Sequence, residues 1–142
     1  MQVIGFNFTK ISAKRELKIE NYSQNTNIEF LDLEKEKIEL LKDLDAIKII
    51  FKYSVEYKSN KEKEKPCAEL IFEGHIVLAL SKKESSDILK SWKKKQIPPN
   101  IQISLFNLIL KKCSPKAVYI ADELNIPSPV PLPKITPKQK EE

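Results

Sequence analysis

The stretch Ala46-Ile47-Lys48-Ile49-Ile50-Phe51-Lys52-Tyr53-Ser54-Val55-Glu56-Tyr57-Lys58 decides the fold. In an extended chain Ile47, Ile49, Phe51, Tyr53, Val55 and Tyr57 share one face, and Lys48, Lys52, Ser54, Glu56 and Lys58 share the other. Period-two alternation of branched and aromatic residues against charge is a strand signature, because successive side chains leave a strand on opposite sides. One dry face and one wet face predict an antiparallel sheet covered on a single side.

On the C-terminal side, a charged turn from Ser59 to Lys65 leads to Pro66 and a second long strand, Cys67 to Leu80. Leu70, Phe72, Gly74, Ile76, Leu78 and Leu80 lie on its core face. Its other face is polar at Glu69 and Glu73 and turns apolar at Val77 and Ala79, as expected of a strand that ends at an interface. On the N-terminal side, Val3 to Ala13 alternates, with Ile4, Phe6 and Phe8 pointing one way. Asn21 to Asn27 reads as a turn-rich crossover. Ile28, Glu29 and Phe30 then open a strand that ends near Asp32 or Leu33. Glu34 to Asp45 fits either a short helix or a continued edge strand.

After Ser81 the period changes. Ser81 and Glu84 form a capping box, in which each side chain serves the other's free backbone N–H, and Ile88, Leu89 and Trp92 follow at helical spacing. Pro98-Pro99 stops this segment. A second helical run from Asn100 carries Ile101, Leu105, Leu108 and Ile109. Ser114-Pro115 either starts a third helix, with serine as cap and proline in the first turn, or kinks one long helix. The run Pro127-Ser128-Pro129-Val130-Pro131-Leu132-Pro133 excludes helix and predicts an extended polyproline segment, followed by a polar tail from Lys134 to Glu142. Strands followed by helices predict an α+β fold: a four-stranded antiparallel sheet with two or three C-terminal helices on one face. We divide the chain into one domain, residues 1–125, and an extended proline-rich segment with its tail, 126–142.

Composition narrows the function. The chain has 142 residues, 41% hydrophobic and 32% charged, which suits a folded core and excludes wholesale disorder. No apolar run approaches the ~20 residues of a membrane helix, and Met1 to Phe6 lacks a secretory pattern, so a cytoplasmic location is expected. Cys67 and Cys113 stand in no metal or redox spacing, His75 is the one histidine, and two glycines cannot build a phosphate loop. No catalytic site, metal or cofactor is therefore expected, and the chain reads as a non-enzyme. Lys and Arg number 25 against 20 acids, for a net charge of +5, yet Arg15 is the sole arginine. Lysine supplies point charge without the planar fork that reads phosphates and base edges. The dense cationic sites Lys93, Lys94, Lys95, Lys111, Lys112 and Lys116 are candidate phosphate contacts, with Trp92 beside the triple lysine as a stacking platform. They define a ribosome- or RNA-associated alternative. The sign-alternating runs Glu34 to Lys37 and Lys61 to Lys65 read as solvated segments.

Several stretches together resemble the SecB family of export chaperones, in particular the small SecB-like proteins of archaea. They are Phe8-Thr9-Lys10-Ile11-Ser12-Ala13-Lys14-Arg15-Glu16, the strand from Ile49 to Tyr57, Ala68-Glu69-Leu70-Ile71-Phe72-Glu73-Gly74, Ser91-Trp92-Lys93-Lys94-Lys95, and Leu105 to Cys113 continuing through Pro133. The resemblance spans residues 8 to 135. It implies four antiparallel strands with two C-terminal helices and association into dimers or dimers of dimers. It also implies ATP-independent holdase activity toward non-native or nascent polypeptides, in the service of protein transport. Phe51, Tyr53, Val55, Tyr57, Leu70, Phe72, Ile76 and Leu78 are the candidate apolar groove or oligomer surface. The sequence does not divide core, contact and groove among them, nor decide whether Pro127 to Pro133 covers or completes a groove.

Overall fold

The computed structural model describes residues 1–38, 43–59 and 65–137. Four strands, β1 (Gln2–Arg15), β2 (Tyr22–Glu36), β3 (Asp45–Ser59) and β4 (Pro66–Leu80), precede two helices, α1 (Lys82–Trp92) and α2 (Pro99–Glu123). The strands form one antiparallel sheet in the order β1-β4-β3-β2. This is the expected α+β architecture.

The two most apolar strands are central because they bury most. Ile49, Phe51, Val55 and Tyr57 of β3, and Leu70, Phe72, Ile76 and Leu78 of β4, are fully enclosed beneath the helices. Each such Leu, Ile or Phe side chain contributes roughly 1.5–3 kcal/mol by leaving water. The opposite face is wet and organised by charge. Lys14 of β1 pairs with Glu69 of β4 at 3.3 Å, and Lys48 of β3 reaches Glu34 and Glu36 of β2 at 2.9 and 3.2 Å. These exposed pairs each stabilise little, but opposite signs across neighbouring strands favour this strand order.

Helix α2 lies across the dry face. Its buried residues recur every fourth position: Ile101, Leu105, Ile109, Cys113, Ala117 and Ala121. A strict spacing of four rotates steadily around a helix of 3.6 residues per turn, so the contact line runs obliquely. Phe106 accordingly stacks on Phe30 of β2, whereas Lys112 and Lys116, further along, lie over Phe6 and Phe8 of β1. The helix thus crosses from one sheet edge to the other. Its buried side chains shrink from Ile and Leu to Ala along the way, which lets its C-terminal half sit close to the sheet.

Several expectations need correction. Ser114-Pro115 does not start a third helix, because α2 continues through it. Pro115 and Lys111, whose carbonyl loses its helical donor, are both exposed residues, so the buried side is undisturbed. Most of the supposed crossover from Asn21 to Asn27 is strand: Tyr22 to Asn27 pair with Ser54 to Ser59, and their polar side chains are tolerated on an edge strand with little covering it. Glu34 to Glu36 continue β2, while residues 39–42 lie outside the described residues, as do residues 60–64 of the charged turn. Ile4 does not join Phe6 and Phe8. The register steps from Val3–Leu78 to Gly5–Val77, leaving Ile4 as the extra residue of a bulge, exposed.

The capping box is as expected: Ser81 Oγ accepts from the Glu84 N–H at 3.2 Å and meets Glu84 Oε1 at 3.0 Å. At the other end of the helical layer, α2 closes in a Schellman motif. Asn125 takes a left-handed φ of 52°, and the Ile126 N–H donates to the Ala121 carbonyl at 3.0 Å. Arg15 completes this end by donating to the carbonyls of Leu124 and Asn125 at 2.9 and 3.1 Å, and to that of Leu17 at 3.1 Å. The only arginine of the chain is therefore a strut between β1 and α2, a task suited to a rigid multi-donor fork. Beyond it, Ile126 is buried, and Ile126 to Pro137 form neither helix nor strand.

Candidate functional site

The candidate groove residues of the sequence reading resolve into core. Phe51, Tyr53, Val55, Tyr57, Leu70, Phe72, Ile76 and Leu78 are at most 1% exposed in the single chain. They hold the sheet to its helices and offer no open surface. Burial pushes the Tyr57 hydroxyl up to about 12 and the Cys113 thiol up to about 12, and raises Tyr53. These shifts favour the neutral, unreactive forms. Among the described residues no group of three His, Cys, Asp or Glu side chains could hold a metal ion. His75 lies on the wet face, its Nε2 3.3 Å from Asn7 Nδ2.

An open concavity with half-buried apolar side chains lies elsewhere, along β2. A concavity of about 550 Å³ is lined by Ile28, Glu29 and Phe30, by Trp92, Lys95, Gln96 and Ile97, and by Pro99, Gln102 and Phe106. Three local devices build it. First, β2 bulges at Leu31, between Phe30 and Asp32, which ends the regular alternation beside Phe30. Second, α1 terminates at Trp92, and Lys95 adopts a left-handed φ of 58°, letting the Gln96 N–H return to the Ser91 carbonyl at 3.2 Å. That turn carries the Lys95 ammonium to 4.9 Å from the Trp92 ring centre, a cation–π contact worth about 0.5–1 kcal/mol where exposed. Third, Pro98-Pro99 restarts the chain as α2, whose Phe106 stacks on Phe30 with centroids 5.3 Å apart and planes 3° from parallel.

The result is three aromatic rings around an open trough beside an edge strand. Two further concavities are more charged. One is lined by Glu16, Lys18, Glu20, Ser59, Lys65 and Cys67 among others; the other by Lys35, Asp45, Lys82, Lys90 and Lys93 among others. The candidate phosphate-binding lysines do not come together. Lys95 belongs to the β2 trough, whereas Lys112 and Lys116 stand 5.9 and 5.2 Å from the rings of Phe6 and Phe8 on the opposite edge strand. No helix among the described residues is long and apolar enough to cross a membrane.

No protein-family model matches the chain. No curated protein matches it either. Among solved structures, similarity is found to the SecB-like chaperone Rv1957 of Mycobacterium tuberculosis, in complex with a ChAD peptide from the Rv1956 HigA1 antitoxin. That match covers 97% of this chain and 92% of the other, at a TM-score of 0.49 and 13% identity.

The trough residues were visible in sequence only one by one. Ile28 and Phe30 mark a strand, Trp92 falls at helical spacing beside the triple lysine, and Phe106 lies inside the helical run from Asn100. Nothing in their spacing announces that three separate segments meet.

Proposed function

We infer that this chain is a non-enzymatic polypeptide-binding protein, an ATP-independent holdase of the SecB-like kind, which takes apolar extended segments of non-native or nascent chains into the trough beside β2. The observation that carries this reading is the open cluster of Phe30, Trp92 and Phe106 next to a long edge strand. Covering apolar surface gains about 25 cal/mol per Å², so about 200 Å² of client contact would supply roughly 5 kcal/mol before association costs. That favours weak, reversible capture, which suits a holdase. An extended client also finds unpaired backbone groups along the free edge of β2. The sequence resemblance to SecB proteins, spanning residues 8 to 135, supports the same reading. In this account the protein works as a homo-oligomer in the cytoplasm and needs no cofactor. The separation of Lys95 from Lys112 and Lys116, at opposite sheet edges, favours polypeptide over a continuous phosphate track.

The test is light scattering of a reduced, unfolded model client with and without the purified protein, in the absence of ATP and at low and high salt. Delayed aggregation that persists in high salt is the expected result, because apolar capture does not release counterions. Phe106→Ser should weaken the delay. Neither binding nor delay at any protein concentration would sink the reading.

A further inference from the structure

The C-terminal segment leaves the fold at a particular place. The Tyr57 hydroxyl donates to the Pro127 carbonyl, and Ile126 is buried beside the end of α2, so the root of the segment is fixed against the dry face. Tyr57 faces Gln24 of β2 in the register, and its ring packs edge-on against Tyr22 at 5.7 Å. Because α2 crosses obliquely towards β1, the dry face of β2 is left uncovered from this root onward: Gln24 and Thr26 are exposed, and Ile28 and Phe30 are only half-buried where the trough begins. An open lane therefore runs from the root of the segment to the aromatic trough.

The segment suits that lane. Pro127, Pro129, Pro131 and Pro133 alternate, so every second residue has φ fixed near roughly −65°, which favours polyproline helix over a strand for this segment. It can lie on a face as polyproline helix, advancing about 3.1 Å per residue. Beyond Val130 the chain carries two exposed large apolar side chains, Leu132 at 53% and Ile135 at 102% exposure. Polyproline geometry puts Leu132 about 15 Å and Ile135 about 25 Å from Pro127. Along β2, at about 3.3 Å per residue, Ile28 lies about 13 Å and Phe30 about 20 Å from Gln24. The spacings match.

We propose that Pro131–Pro137 is a strap that closes in cis over the trough beside β2, seating Leu132 and Ile135 on Ile28, Phe30, Trp92 and Phe106 in competition with client polypeptide. The structure records the open state. This inference deepens the holdase reading by giving the same site an internal competitor, and it can be tested without any client because Trp92 is the only tryptophan.

The experiment compares the full-length protein with the L132S/I135S double variant, whose changes fall on positions exposed in the open state, so the variant should fold and its thermal midpoint should drop by no more than the closed strap contributes. The first readout is acrylamide quenching of Trp92 without client. The strap predicts that quenching rises about twofold in the variant. The second is affinity for a labelled apolar ten-residue peptide. A strap closed nine-tenths of the time leaves one-tenth of the sites competent, so the variant should bind about tenfold tighter. Equal quenching and equal affinity in the two proteins would overturn the strap. Quenching of the wild type that depends on protein concentration would also overturn it, assigning the trough to the tail of a second copy. A change in quenching with no peptide bound by either protein would uphold the strap and sink the holdase reading instead.

Discussion

Gly74→Ala is a severe test of the packing described above. Gly74 sits on the dry face of β4, opposite Phe8 of β1 and Phe51 of β3. A Cβ placed there would stand 2.3 Å from the Asn7 carbonyl oxygen and 3.0 Å from two ring carbons of Phe51. The first neighbour is backbone in a paired strand and the second is a fully buried ring, so neither yields cheaply. Overpacking of this kind costs about 1–3 kcal/mol, and contact with backbone places this site at the upper end. Replacing a strand glycine returns roughly 0.5–1 kcal/mol of chain entropy. The net loss should be about 2 kcal/mol, or a fall in Tm of about 5–10 °C for a chain of this length. Gly5, the only other glycine, is the internal control: its Cβ would meet Val77 at an ordinary 3.5 Å, and its φ is not positive. Gly5→Ala should be neutral or raise stability by about 0.5 kcal/mol. Thermal melts and urea midpoints of both variants decide the matter. A Gly74→Ala protein as stable as the parent, or a Gly5→Ala protein equally damaged, would refute the close approach of Phe51 to the β4 backbone.

Arg15→Lys keeps the charge but loses the fork to Leu124, Asn125 and Leu17; it should cost about 1–2 kcal/mol in urea unfolding, and no change would remove Arg15 as the strut of α2. Ser81→Ala breaks the cap on α1 and should cost about 1 kcal/mol by the same measurement. Alkaline titration should erode stability from about pH 9 to pH 12. The folded Tyr57 and Cys113 hold their protons to about 12, whereas their ordinary values are 10.0 and 9.0, so the unfolded chain releases protons first. Stability is then complete below the unfolded values and falls by up to about 1.4 kcal/mol per pH unit per group. Tyr57→Phe and Cys113→Ala should each flatten that decline, and an unchanged slope in both would contradict their burial as neutral groups.

How far the fold was legible depends on how much each strand buries. β3 and β4 announced their faces because each is sealed on one side by the helices and wet on the other, and alternation is the direct record of that asymmetry. The Ser81–Glu84 cap was equally plain, since its chemistry is local. The edge strands were harder. Extra residues at Ile4 and Thr9 of β1 and at Leu31 of β2 each shift the side chains that follow to the opposite face, and no composition signal marks where a bulge falls. Tyr22 to Asn27 is polar because an edge strand can be wet on both sides, so it passed for a crossover. Pro115 looked like a boundary because sequence cannot show that it faces solvent. The trough stayed hidden for a different reason: Phe30, Trp92 and Phe106 meet only after the oblique crossing of α2 and the left-handed turn at Lys95 are in place.

The central claim is that polypeptide is captured at the β2 trough. A nuclear magnetic resonance titration of the full-length protein with an unfolded, apolar client polypeptide tests it most directly, following the single Trp92 indole signal together with Ile28 and Lys116, at low and high salt. The account predicts shifts at Trp92 and Ile28 that survive high salt, with Lys116 at the far sheet edge unmoved. Shifts confined to Lys116 that vanish in high salt, or none at any of the three, would contradict it.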